Sequence, residues 1–155
     1  MSNKIEQECD IIHTAIEGDD NLTEDIIKII CTKSNDERQK LKEKYISLFG
    51  INLPEALDKK LKGDLCSLMK DLLKTPVDYD TENIFKAIDG IGTDDDVLIE
   101  IISTREGSHL LQVNKRYIEL YKKEKIEEAI KGDTSGAYQK LLIAMSQGKR
   151  SENPY

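Results

Sequence analysis

The sequence predicts an all-α protein made of two copies of one helical unit. Three observations carry this. Apolar residues recur at helical spacing, no stretch sustains the alternation of a strand, and the chain matches itself when shifted by 72 residues. In that shift Ile12 meets Ile84, Ala15 meets Ala87, Ile16 meets Ile88 and Gly18 meets Gly90. Ile26, Ile27, Ile29 and Ile30 meet Leu98, Ile99, Ile101 and Ile102, and Thr32, Lys33 and Tyr45 meet Thr104, Arg105 and Tyr117. Past Gly50 the offset becomes 73, and Leu53, Gly63, Leu68 and Met69 meet Ile126, Gly136, Leu141 and Leu142. One residue inserted in an exposed loop accounts for the slip. The units are placed at 8–76 and 80–147, with 148–155 as a tail or the start of a linker.

Five short helices are expected in each unit. In the second, Ile84, Ala87 and Ile88 mark the first stripe, and Val97, Leu98, Ile101 and Ile102 the next. Leu110, Val113, Tyr117 and Leu120 form the third, Ile126, Ala129 and Ile130 a short fourth, and Tyr138, Leu141, Leu142 and Met145 the fifth. Start signals accompany them. Ser34 or Asn35 starts the third helix of the first unit, and Thr81 starts the second unit after Pro76 in the linker. Thr93 with Asp96 three residues on resembles a capping box. Helices this short are unstable alone and must pack on one another.

Composition removes several functions. Hydrophobic residues are 38% and charged residues 34%, enough for a packed core but polar. The net charge of −7 and the absence of Trp argue against nucleic acid, and against an anionic surface approached unaided. No apolar run approaches a membrane span, and the N-terminus, MSNKIEQECD, lacks the apolar core of a signal peptide. Cys9, Cys31 and Cys66 are odd in number and form no C-x-x-C pair, which fits a reducing, cytoplasmic setting. Cys31 stands among apolar residues and is expected to be buried. His13 and His109 are expected to be surface or structural residues, since neither has a metal-ligand neighbour at the right spacing. No triad, carboxylate pair or cofactor loop is present, so the chain is not expected to be an enzyme.

The informative loop is GIGTDDD, residues 90–96. It follows a helix rather than a strand, has no Lys, and its three aspartates repel phosphate, so a P-loop or dinucleotide loop is excluded. Its consecutive carboxylates do not fit an EF-hand. A plain helix–helix turn remains open, with glycines permitting positive φ and acids at the positive end of the next helix. So does a hard-cation site, because alternating glycines let carbonyls turn inward.

The stretches KAIDGIGTDDDVLIEIISTR and IKGDTSGAYQKLLIAM, with Tyr117 between them, resemble an annexin repeat. AIEGDDNLTEDIIKIICTKSNDERQKLKEKYISLFG and LKGDLCSLMKDLL resemble a more divergent one. The resemblance implies two annexin-like repeats of five helices wound right-handedly, with calcium-dependent binding to acidic phospholipids at the inner, cytoplasmic face of membranes. It assigns calcium to the carbonyls of Ile88, Gly90 and Gly92 with the Asp133 carboxylate, and a weaker second site to Thr93 and Asp95. Arg105 matches an arginine of the family's second helix, where tying helices together and touching lipid both remain open.

The first unit departs from this pattern. Asp20 and Asn21 stand opposite Gly92 and Thr93, and Lys60 stands opposite Asp133, so its site reads as lost, with Asp19, Asp20 and Asp64 left for an irregular one. The family core has four repeats and this chain has two; its end, LIAMSQGKRSENPY, resembles the segment leading into a third. Half of a longer protein and a two-repeat protein, covered by a homodimer partner, both remain open. The alternative function is a calcium-independent interaction module, such as a cytoskeletal adaptor on the same fold.

Overall fold

The computed structural model describes residues 2–18, 23–89, 92–122 and 126–149, with Ser2, Asn3 and Asp133 described by backbone alone. The described residues form ten α-helices and no strand. The chain divides between Thr75 and Pro76 into two compact units.

The first unit comprises α1 (Ser2–Glu17), α2 (Thr23–Cys31), α3 (Asn35–Phe49), α4 (Leu53–Lys60) and α5 (Gly63–Leu72). Ser34 caps α3 through a reciprocal pair. Its hydroxyl accepts from the Glu37 amide at 3.3 Å, and its own amide donates to Glu37 Oε2 at 2.8 Å. Gly50 ends α3 at φ 69°, where a side chain would be strained, and its N–H donates to Ile46 O. Pro54 stands in the first turn of α4, where its missing N–H costs nothing. The core joins Ile12 and Ile16 to Ile26, Ile30, Leu41, Tyr45, Leu57 and Met69.

The second unit comprises α6 (Pro76–Ile88), α7 (Asp95–Thr104), α8 (Gly107–Tyr121), α9 (Ile126–Asp133) and α10 (Gly136–Ser146). Ile84, Leu98, Ile102, Val113, Tyr117, Ile130 and Leu142 are central to its core. The duplication extends to contacts. His13 stacks on Phe49 at 3.9 Å beside Tyr45; shifted by 72, Phe85 stacks on Tyr121 at 3.7 Å beside Tyr117. The Glu8–Lys33 ion pair at 2.7 Å has its counterpart in Asp80–Arg105 at 2.7 Å.

Several local expectations are corrected. α6 begins at Pro76, a residue preset for a helix start, and Thr81 is buried within that helix, its hydroxyl donating to Val77 O at 2.6 Å. Asp94, not Thr93, caps α7, accepting from the Val97 amide at 3.2 Å. Cys31 is exposed, because α2 turns Ile26 and Ile30 inward. Cys9 is buried instead, and burial, reinforced by Asp10 and Glu8, pushes its thiol up to about 11. Leu120 and Leu141 are 44% and 59% exposed, since Tyr121 and Leu142, one residue on, hold the inner face.

Gly107 opens α8 against a bend at Gly148, which has φ 64°. A Cβ at Gly107 would stand 2.3 Å from the Gly148 carbonyl oxygen. The overlap is with backbone, which yields poorly. Gly107→Ala is therefore expected to cost about 1–3 kcal/mol through overpacking, despite alanine's better helix propensity. Urea unfolding checks it, and a stability at or above that of the parent would refute the close approach.

Candidate functional site

α6 ends at Ile88, which is 8% exposed. The last carbonyls of a helix lack intrahelical donors and carry its negative end. Two of them are capped by the loop itself: Asp89 N–H donates to Phe85 O at 2.8 Å, and Asp94 N–H to Ala87 O at 2.9 Å. The second bond folds the loop back over the helix end. Gly92 sustains this turn at φ 88°, a conformation that a side chain would strain. Thr93 is half-buried, and Asp94, Asp95 and Asp96 are exposed. With Lys86, Ala87 and Gly92, they line a recess of about 580 Å³.

α10 packs against α7 and reaches the loop's end there. Tyr138 Oη donates to Asp95 Oδ1 at 2.9 Å, and its phenol is pushed up to about 12, by burial first and by Asp95 second. The neighbouring Gln139 clamps the α9–α10 junction, donating to Lys131 O at 3.1 Å and to Thr134 O at 2.6 Å. Sequence reasoning places Tyr138 only in an apolar stripe. Its role depends on a partner 43 positions away, which no local signal reveals.

Of the residues assigned to the cation, Ile88, Gly92, Thr93 and Asp95 stand around this loop. Gly90 lies outside the described residues. Asp133 is the last residue of α9 rather than part of the following loop, and its side chain is not among those described. The described part of the loop offers oxygens at the negative end of a helix with the exposed carboxylates of Asp94, Asp95 and Asp96 nearby, although no three acidic, His or Cys side chains among the described residues are grouped around one point. That chemistry fits a hard cation such as calcium.

The end of α1, the first unit's counterpart of the end of α6, is held differently. Gly18 follows α1, its amide donating to Thr14 O at 2.9 Å. Its carbonyl accepts from Lys60 Nζ at 2.8 Å. Lys59 pairs with Glu17 at 2.6 Å. Asp64 is exposed in the first turn of α5, while Asp19, Asp20 and Asn21 lie outside the described residues.

A second recess of the second unit, about 440 Å³, is lined by Pro76, Tyr79, Asp80, Thr104, Arg105, Glu106 and His109. Asp80 is 2% exposed and accepts from Arg105 Nε at 2.7 Å, Arg105 Nη2 at 3.1 Å and His109 Nε2 at 2.9 Å. The hydrogen bonds to Asp80 raise the Arg105 guanidinium further. Arg105 follows α7 directly instead of lying within it, and it ties α6 to the α7–α8 junction. His109 is a structural residue on the same carboxylate.

The annexin family model matches this chain twice, over residues 7–72 and 79–145. Human annexin A11 is 36% identical over 95% of the chain, which spans 29% of that protein. Horse annexin A1 is 39% identical over 93% of the chain, which spans 41% of it. The solved structure of annexin III superposes with a TM-score of 0.90 at 30% identity, covering 96% of this chain and 46% of that one. The chain thus spans less than half the length of these relatives. Two matched repeats, ten helices in two duplicated units and close structural agreement have one reading: the chain belongs to the annexin family.

Proposed function

We propose that the second unit binds acidic phospholipid surfaces in a calcium-dependent manner through the α6–α7 loop. The single observation that most supports this is the Tyr138–Asp95 hydrogen bond. It draws the start of α10, and with it the end of α9 where Asp133 stands, toward the Gly92 loop. The carbonyls of Ile88, Gly90 and Gly92 and the carboxylate of Asp133 would hold the ion, with Thr93 and Asp95 as a weaker second site. When bound, calcium keeps coordination positions that lipid phosphate oxygens fill. The chain's own residues do the rest. Ile88 anchors the helix end in the core, Gly92 turns the loop, Asp94 caps α7, and Tyr138 and Gln139 tie the start of α10 to Asp95 and to the residue after α9. The role is binding rather than catalysis, exercised peripherally at the cytoplasmic face of membranes. No described helix is long and apolar enough to cross one.

The competing reading is a calcium-independent interaction module, and the Lys60–Gly18 contact favours it for the first unit. Sedimentation with phosphatidylserine vesicles separates the two. A chain of charge −7 is expected to ignore these vesicles without calcium even at low salt, where screening of like charges is weakest. It is expected to bind with calcium and to be released by a chelator. Magnesium is expected to substitute poorly, since it prefers strict octahedral geometry and holds its waters. Neutral phosphatidylcholine vesicles are expected to bind weakly or not at all. Equal binding with and without chelator would overturn the proposal in favour of the adaptor. Magnesium as effective as calcium would replace a shaped site with diffuse charge neutralisation.

A further inference from the structure

Lys60 ends α4, and its ammonium donates to the carbonyl of Gly18, the residue following α1. The duplication sets Gly18 opposite Gly90 and Lys60 opposite Asp133. The two positions proposed to share a divalent ion in the second unit are thus joined directly in the first, by one side chain of reversed charge. The end of α1, like that of α6, presents carbonyls and negative potential. An ammonium is a compact point charge with three donors, and it satisfies such a carbonyl without a metal.

We infer that Lys60 is a built-in cation: it fastens Gly18, at the end of α1, to the end of α4 in place of calcium and sets the first unit's metal selectivity by excluding divalent ions. A tethered cation cannot be lost by dilution or chelation. The end of α1 is therefore held at every calcium level, and only the α6–α7 junction responds to the ion. Lys59 does not share the role. Its partner is the Glu17 side chain in a pair whose members are 51% and 47% exposed, a geometry that contributes little to stability. The comparison with calcium rests on the function proposed above, but the fastening itself does not.

Hydrogen exchange followed by mass spectrometry on the full chain, in chelator and in saturating calcium, tests this. In the parent protein the α1–α2 junction is expected to exchange at the same rate in both, while the α6–α7 junction slows with calcium. Lys60→Met keeps the apolar stem and drops the charge. It is expected to speed exchange around Gly18 about two- to fivefold in chelator, the loss of one hydrogen bond at an exposed position. Lys60→Arg is expected to restore most of the protection, and Lys59→Met to leave it unchanged. Parental exchange around Gly18 in Lys60→Met would overturn the inference, as would a first junction that calcium protects in the parent. A second junction indifferent to calcium would instead overturn the proposed function and leave the metal-free comparison standing.

Discussion

Asp133→Asn is expected to abolish most calcium-dependent sedimentation with phosphatidylserine vesicles and to weaken calcium binding on the order of a hundredfold, because ligand charge governs affinity at oxygen sites. In the proposed site the carbonyls of Ile88, Gly90 and Gly92 would supply dipoles but no net charge, so the Asp133 carboxylate would carry most of the attraction. The fold is expected to survive. Asn preserves the shape of Asp, and Asp133 ends α9, where an anion opposes the helix dipole, so neutralising it relieves a few tenths of a kcal/mol. Far-UV circular dichroism should therefore match the parent while calorimetry loses the calcium signal. Unchanged calorimetry would show that the charge comes from elsewhere, with Asp95 and Asp96 next to examine.

The helices were legible because their cores are periodic, and the duplication doubled the signal. Ile84, Leu98, Leu110 and Val113 are buried where their spacing predicts. Boundaries were less legible. At Pro76 a proline reads equally as linker and as helix start, and the choice is made by burial of Asp80 and Thr81, which no local pattern shows. At the start of α7, Thr93 and Asp94 are both good caps. The Asp94 N–H bond to Ala87 O fixes Asp94 in that place.

The loop itself was conspicuous from its glycines and acids, whereas its support was hidden. Tyr138 and Gln139 act through partners that the fold alone brings near. Lys60 was legible as a charge in the wrong seat, but its bond to the Gly18 carbonyl was not, because a carbonyl leaves no mark in the sequence. The stacked pair His13–Phe49 was within reach, since the offset of 72 lays it on Phe85–Tyr121. Reading His13 as a lone histidine concealed that match.

Arg105→Met is expected to cost about 2–3 kcal/mol and to lower the melting temperature by about 5–10 °C, a shift large for a surface arginine. The Asp80 carboxylate is 3% exposed, and removing Arg105 takes away its guanidinium and leaves it in the protein interior with the His109 Nε2 contact. An uncompensated buried charge costs about 3–5 kcal/mol; the lower figure applies because the Arg105 side chain is 35% exposed and water reaches the site. Met keeps most of the apolar stem, so lost packing contributes little. Adding Asp80→Leu to this variant should recover much of the loss, since an ion pair replaced on both sides by apolar groups is often neutral. The double-mutant cycle then isolates the pair's coupling from each residue's other contacts. Calcium-dependent vesicle binding at a temperature below the lowered melt should remain, because the Asp80 cluster lines a different recess from the Gly92 loop. A variant as stable as the parent would mean that the ion pair is dispensable. Vesicle binding lost at full folding would instead place Arg105 on the lipid-contacting surface.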